Sequence, residues 1–153
     1  MKIDEFLKEK GVQFSRMKHP VAFTAQETAA EAHVPGRMMV KTVVVKADDR
    51  SYLVVLPAIF NIDFAKLKKL LGATGPVTLA TEAEMEKLFP DAEVGAEAPF
   101  GEPYGLKTVI DEHLAECDHI VFQAGDHATT IQLNYEDYVS VADATTGRFG
   151  QHI

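Results

Sequence analysis

Residues 38–46 read Met38-Met-Val-Lys41-Thr-Val-Val-Val-Lys46, the most β-branched run in the chain. Its composition and length predict one buried strand. Side chains alternate along a strand, so Lys41 should point to the same side as Val43 and Val45. A lysine inside such a run either extends its ammonium group to solvent or lines a cleft and meets an anionic or carbonyl-bearing ligand. The stretch alone leaves both interpretations open.

Capping residues and apolar periodicity place the other elements around this strand. Thr24 with Glu27, and Thr81 with Glu84, form capping boxes that open helices. The predicted helices cover residues 2–10, 25–32, 64–71 and 82–89, with short helical turns after Asp111 and Asn134. The predicted strands cover residues 12–18, 52–57, 76–80, 106–110, 119–124, 129–133 and 139–142. Strands come in pairs without a regular βαβ rhythm, which predicts an α+β fold with a mixed sheet.

Length and composition indicate one soluble domain over residues 1–153. The chain is 46% hydrophobic and 25% charged, as is usual for globular proteins, and it has no repeat or linker. It has no apolar run of membrane-spanning length and no signal-peptide core. A single cysteine, Cys117, cannot staple the fold and suits a reducing compartment, so we expect a cytoplasmic protein that does not bind membranes.

The formal net charge of −8 argues against a protein that coats nucleic acid through a broad basic surface, and we expect no DNA binding. A cleft that grips one end of a nucleic acid through a few contacts remains compatible with this charge. The lysines of the third predicted helix, Lys66, Lys68 and Lys69, fit a solvated outer face better than a phosphate-binding patch.

Several well-known chemistries lack their motifs. The chain has no phosphate-binding P-loop, no dinucleotide fingerprint and no nucleophile elbow. Cys117 lies near His113 and His119, but no fourth metal ligand is evident and nothing marks the thiol as activated. We therefore expect no metal and no cofactor.

The segment between Pro90 and Gly105 is rich in glycine and proline, as functional loops often are. A loop opened by Gly95 and stiffened by Pro99 can direct backbone N–H groups at an oxyanion, although it can equally be structural. His127, in a predicted turn, could exchange a proton near neutral pH or serve only the structure. His19 carries the same ambiguity.

Taken together in this order, the motifs resemble the YbaK/EbsC family, which includes the editing domain of bacterial-type prolyl-tRNA synthetases and its free-standing relatives. The resemblance runs from His19 to about Asp143. It is carried by His19-Pro20, Thr24-x-x-Glu27, Lys41-Thr42, Gly95-x-x-x-Pro99-Phe100-Gly101, Asp111 and Ala124-Gly125-x-His127. It implies a mixed, barrel-like β-sheet surrounded by helices.

The resemblance also implies site residues. Lys41 corresponds to the lysine that is essential in characterised deacylases, and Gly95 and Pro99 to the loop whose backbone engages the ester end of the substrate. His127 matches a position at the rim of the aminoacyl pocket. The remaining substrate-binding positions implied by the match are His19, Phe23, Thr24, Thr42, Ala96, Phe100 and Gly125.

The function that the resemblance implies is hydrolysis, in trans, of the ester between a small, wrongly attached amino acid and tRNA. Alanine, cysteine, serine and threonine all remain candidates. The partners would be the acceptor end of an aminoacyl-tRNA and, as a second partner, a synthetase that delivers it. Two alternatives stay open, namely a non-catalytic regulator that binds a nucleotide or aminoacyl group and a module that docks on a synthetase.

Overall fold

The computed structural model describes residues 3–153 and contains helices and short strands in a mixed order. The helices are α1 (Ile3–Glu9), α2 (Ala25–Glu31), α3 (Phe64–Leu71), α4 (Glu82–Leu88) and α5 (Tyr135–Ala142). The strands are β1 (Phe14–Lys18), β2 (Val40–Ala47), β3 (Arg50–Pro57), β4 (Phe60–Ile62), β5 (Thr78–Leu79), β6 (Lys107–Asp111), β7 (His119–Gln123), β8 (Thr129–Asn134), β9 (Thr145–Gly147) and β10 (Gly150–His152). Short 3-10 helices cover Glu102–Tyr104 and Glu112–Glu116.

The valine-rich strand β2 lies in a five-stranded sheet of order β5-β2-β3-β6-β9. It forms the predicted antiparallel hairpin with β3, in a register that places Lys41 opposite Leu56. Strand β3 pairs with β6 in parallel, and β6 with β9. The sheet is therefore mixed, and β3 at its centre is buried from Tyr52 to Pro57, as expected of a strand covered on both faces.

A second sheet, of antiparallel order β1-β8-β7, packs against the first. The two are joined where Met39 forms an isolated bridge with Val121. One core cluster contains Val44 and Leu53 of the first sheet together with Phe122 and Ile131 of the second. This shared core and the surrounding helices confirm the predicted α+β fold with a mixed, barrel-like arrangement of strands.

The C-terminal region departs from the prediction. Residues 139–142 were expected to be a strand but belong to α5, which Asn134 caps by accepting the Glu136 N–H. Tyr138, Val141 and Ala142 are buried on one helical face, at the i, i+3, i+4 spacing that the short β-branched run obscures.

Three strands of three residues each were not predicted: β4, β9 and β10. Such strands are too short to show an alternating pattern, and they form only because distant segments pair with them. Residue 2, which the first predicted helix included, lies outside the described residues. In the described part of the chain, no helix has the length and apolarity needed to cross a bilayer.

Candidate active site

A cavity of about 260 Å³ opens beside the N-terminal half of β2. Its walls come from β2, from the segment that leads into α2, from the loop at Gly95 and from the end of β7. The lining residues are Phe23, Thr24, Ala25, Val40, Lys41, Thr42, Val43, Gly95, Glu97 and Gln123. Within the described chain, its charged lining residues are one cation, Lys41, and one anion, Glu97.

Lys41 is partly buried, and its Nζ donates to the side-chain oxygen of Asn61 on β4 at 3.4 Å. Burial lowers the pKa of the Lys41 ammonium group, because the charged form loses hydration. Asn61 is neutral, so it orients the ammonium group without neutralising it. Lys46 on the same strand differs, because its ammonium group forms an ion pair with the Glu84 carboxylate at 2.9 Å. Lys41 thus presents a cationic group to the cavity.

The carboxylate of Asp111 does not pair with Lys41, because its hydrogen bonds are made elsewhere. It is completely buried and accepts the backbone N–H groups of Phe149 and Gly150 at 3.1 and 2.8 Å. Its second oxygen lies 2.7 Å from Nδ1 of His113. Asp111 therefore anchors the chain before β10 and does not contact Lys41.

The Gly95 loop lies across the cavity from β2. Gly95 has a φ of 89°, in the region that favours glycine, and the ring of His127 lies close to it. The Gly95 N–H donates to Oε1 of Glu97 at 3.1 Å, and the Ala96 N–H to the Glu93 carbonyl at 3.0 Å. Pro99 has no N–H, and its carbonyl accepts the Tyr138 hydroxyl at 2.8 Å. The loop is held by its own hydrogen bonds, so the amides of Gly95 and Ala96 do not point freely into the cavity.

Glu97 lines the cavity, and the sequence prediction did not include it. It lies in the Gly95–Pro99 motif, yet its side chain is 3% exposed and lines the cavity. Burial raises the pKa of this carboxyl group, and the N–H groups of Glu97 and Gly95 offset the effect in part. Oε2 of Glu97 has no hydrogen-bond partner among the described residues. The sequence did contain a signal for this residue, because Glu97 is an acidic residue inside the Gly95–Pro99 motif.

His127 lies beside Gly95, and its ring contacts the ring of Phe23, which lines the cavity. Its ring centroid is 4.9 Å from that of Phe23, whose side chain is 68% exposed. His127 Nε2 lies 3.0 Å from the Val94 carbonyl, which fixes it as the donor nitrogen. Its Nδ1 is buried and unpartnered among the described residues.

The structure brings five of the predicted site residues to this cavity: Lys41, Thr42, Gly95, Phe23 and Thr24.

Other predicted residues lie outside its lining. Phe100 lies outside the lining, because its ring is buried in the core against Phe6, Phe122 and Tyr138. Ala96 and Pro99 are buried parts of the loop, and the Ala96 carbonyl accepts the Gly125 N–H at 2.9 Å. Gly125 lines a separate cavity. The ring of His19 bonds to the carbonyl of Pro20.

Gln123 was also missed. It ends β7, lines the cavity and donates to the Thr28 hydroxyl at 2.9 Å, which ties the strand to α2. A polar residue at the end of β7, which is otherwise mainly apolar, could have indicated a site-facing position.

Comparison with known proteins agrees with this architecture. Residues 19–141 match the sequence profile of the aminoacyl-tRNA editing domain. The chain belongs to the aminoacyl-tRNA editing domain family. The matched region includes Lys41, the Gly95 loop and His127, so the cavity falls within the shared domain.

Proteins with sequences similar to this editing domain include two proline–tRNA ligases. The enzyme of Streptococcus gordonii is 28% identical over 138 residues, which are 86% of this chain and 22% of the ligase. That of Latilactobacillus sakei subsp. sakei is 30% identical over 132 residues, 85% of this chain and 23% of the ligase. The chain therefore spans less than a quarter of the length of these relatives.

Solved structures share the fold of the editing domain. The crystal structure of a hypothetical protein superposes with a TM-score of 0.89 at 24% identity, covering 99% of this chain and 100% of that chain. A candidate trans-editing enzyme for prolyl tRNA synthetase superposes with a TM-score of 0.87 at 20% identity, covering 97% and 94%.

Proposed function

We propose that this protein is an aminoacyl-tRNA deacylase that acts in trans as one editing domain over residues 1–153. It would hydrolyse the ester of a tRNA mischarged with a small amino acid. The observation that carries the proposal is the position of Lys41, a partly desolvated ammonium group that lines the cavity and has no carboxylate partner among residues 3–153. The proposed reaction, hydrolysis of an aminoacyl ester, follows from the membership of the chain in the aminoacyl-tRNA editing domain family.

In the proposed reaction, Lys41 binds the substrate at its ester end, through a phosphate or the ester oxygens. Water attacks the ester carbonyl, the acyl C–O bond breaks, and the free amino acid and a tRNA hydroxyl are released. Negative charge develops on the carbonyl oxygen, and a cation in a partly dry site stabilises it more strongly than a cation in bulk water. The Gly95 and Ala96 amides already donate hydrogen bonds within the loop, so Lys41 provides most of the stabilisation of the carbonyl oxygen. The loop forms a fixed wall of the cavity.

The size of the cavity supports a small aminoacyl group. Its volume of about 260 Å³ lies just below the range of roughly 300–1,000 Å³ that is typical of small-molecule pockets. Thr24, Thr42 and Gln123 give the wall a polar character. Phe23, exposed at the mouth, can stack on the terminal base of the tRNA.

The net charge of −8 supports a role for a partner in delivering the tRNA, because unaided capture of a polyanion by an acidic protein is weak at physiological salt. We propose a synthetase as that partner. Deacylation should then rise on addition of prolyl-tRNA synthetase. A cytoplasmic location suits both this partner and the single reduced cysteine.

A second candidate function is a non-catalytic module that binds a nucleotide or aminoacyl group. The internal hydrogen bonds of the Gly95 and Ala96 amides favour it, since they leave these two donors unavailable to an oxyanion.

The test is deacylation of a panel of tRNAs charged with alanine, cysteine, serine, threonine and proline, by the wild-type protein at low salt. Cleavage of one or two species supports the deacylase and identifies its substrate. If no species is cleaved while an amide-linked aminoacyl-adenosine still binds, the binding module is the correct function.

A further inference from the structure

Glu97 has a chemical environment that the proposed hydrolysis does not explain. Its carboxylate is almost fully buried, and the salt bridges of the described residues do not include it. Oε1 accepts the Gly95 N–H at 3.1 Å, and Oε2 accepts no hydrogen bond from the part of the chain that the structure describes. Burying a charge without a partner is costly, and such groups persist where a ligand compensates them.

A second acceptor without a donor lies at the same loop. With Nε2 donating to Val94, the neutral ring of His127 carries its lone pair on Nδ1, which is buried and unpartnered in the described chain. The ring lies against Gly95, since a Cβ built on that glycine would be 3.6 Å from Cε1 of His127. The loop therefore holds two buried polar atoms, Glu97 Oε2 and His127 Nδ1, that have no hydrogen-bond partner among the described residues.

The chemistry of an aminoacyl ester fits this arrangement. Its tRNA end is anionic and its amino acid carries an α-ammonium group, which is cationic near and below pH of about 8. The cavity offers one cation and one anion on different walls, Lys41 on β2 and Glu97 on the loop, and the two are not paired with each other. A water molecule could satisfy Oε2 but would add no charge, and His127 offsets the burial-raised pKa of Glu97 only in part, whereas an ammonium group provides both donors and a positive charge.

We propose that Glu97 binds the α-ammonium group of the aminoacyl moiety, an inference that rests on the proposed function. Glu97 would orient the amino acid in the cavity while Lys41 holds the ester end, and so set the position of the carbonyl carbon. The acceptor on His127 lies beside Glu97 and is a second candidate contact for the same group. Burial raises the pKa of Glu97, and a bound ammonium group would lower it again by favouring the charged carboxylate.

The test uses two non-hydrolysable probes that differ only in the α-amino group: 3′-deoxy-3′-(alanylamino)adenosine and 3′-deoxy-3′-(propanoylamino)adenosine. Affinities are measured by calorimetry at pH 7. The wild-type protein should bind the alanyl probe about tenfold or more tightly than the propanoyl probe, the usual effect of one charge-assisted hydrogen bond. Equal affinities, or no binding of either probe, would overturn the inference without any substitution being needed.

Glu97→Gln keeps an oxygen for the Gly95 N–H and removes the charge. It should reduce the preference to less than about threefold, while Glu93→Gln, an exposed acid of the same segment, should retain it. Retention of the full preference by Glu97→Gln would overturn the assignment.

A third measurement separates this inference from the proposed function. If the wild type prefers the alanyl probe but cleaves no charged tRNA, the deacylase proposal fails and the ammonium site stands. If it cleaves charged tRNA and Glu97→Gln lowers kcat while the probe preference persists, Glu97 acts on water and the ammonium site is rejected.

Discussion

Lys41 and Glu97 line the same cavity but do not form an ion pair, although each is partly or fully removed from water. Nζ of Lys41 is 3.4 Å from Asn61, and Oε1 of Glu97 is 3.1 Å from the Gly95 nitrogen. Two opposite charges in one small site would normally neutralise each other. Held apart by neutral partners on different elements, they remain available to a ligand that carries both signs of charge.

The first prediction concerns the stability cost of Glu97. Its pKa is raised in the folded state, so ionisation disfavours folding: the associated stability is present below the unfolded pKa of about 4.3 and is lost as pH rises through the folded pKa. Glu97→Gln should therefore be more stable than wild type at pH 8, with a smaller difference at pH 4. Urea unfolding at both pH values measures this. Glu93→Gln is the control, and a Glu97→Gln difference independent of pH would contradict the prediction.

A second prediction separates backbone strain from site geometry. Gly95 and Gly105 have φ values of 89° and 71°, so an alanine should cost roughly 1 kcal/mol at either position. Gly105 is exposed and lies outside the cavity lining, so Gly105→Ala should keep its deacylation rate. Gly95→Ala should lose rate beyond its loss of stability, because the loop faces the substrate and the His127 ring. Equal rates for the two folded variants would show that the loop geometry does not matter for catalysis.

Local signals explain what the sequence could predict of the fold. Thr24, Asp63, Thr81 and Asn134 each accept a backbone N–H at a helix start, as their positions next to apolar runs indicated. Strand β2 formed where β-branching was densest. In contrast, β4, β9 and β10 depend on partners far along the chain, and no local pattern marks them.

The same distinction applies to the site. Lys41 and Gly95 were identified by motifs, and tertiary structure does place them at one cavity. Asn61 and Gln123 lie near Lys41 or the cavity because β4 and β7 pack close to β2 in the fold. The sequence does not show that these strands are neighbours of β2. Phe100 adjoins the Gly95–Pro99 motif, yet core packing rather than the motif decides the direction of its side chain.

A third prediction tests whether Asp111 is structural. Asp111→Ala would leave the buried N–H groups of Phe149 and Gly150 without acceptors, at a cost of roughly 3 kcal/mol or more. Glu112→Ala, which removes an exposed partner of Arg148, should cost less than about 1 kcal/mol. Both are measured by thermal unfolding. The folded fraction of Asp111→Ala should deacylate at the wild-type rate, and a specific loss of activity would instead place Asp111 in the site.

The central claim is that the Lys41 ammonium group carries the reaction, and its most direct test compares two lysines of one strand. Lys41→Ala and Lys46→Ala each remove a partly buried lysine from β2, but Lys46 pairs with Glu84 outside the cavity. The single-turnover deacylation rate on the best substrate of the panel should fall about a hundredfold or more in Lys41→Ala and change little in Lys46→Ala, with both proteins folded. A Lys41→Ala rate within about threefold of wild type would contradict the account.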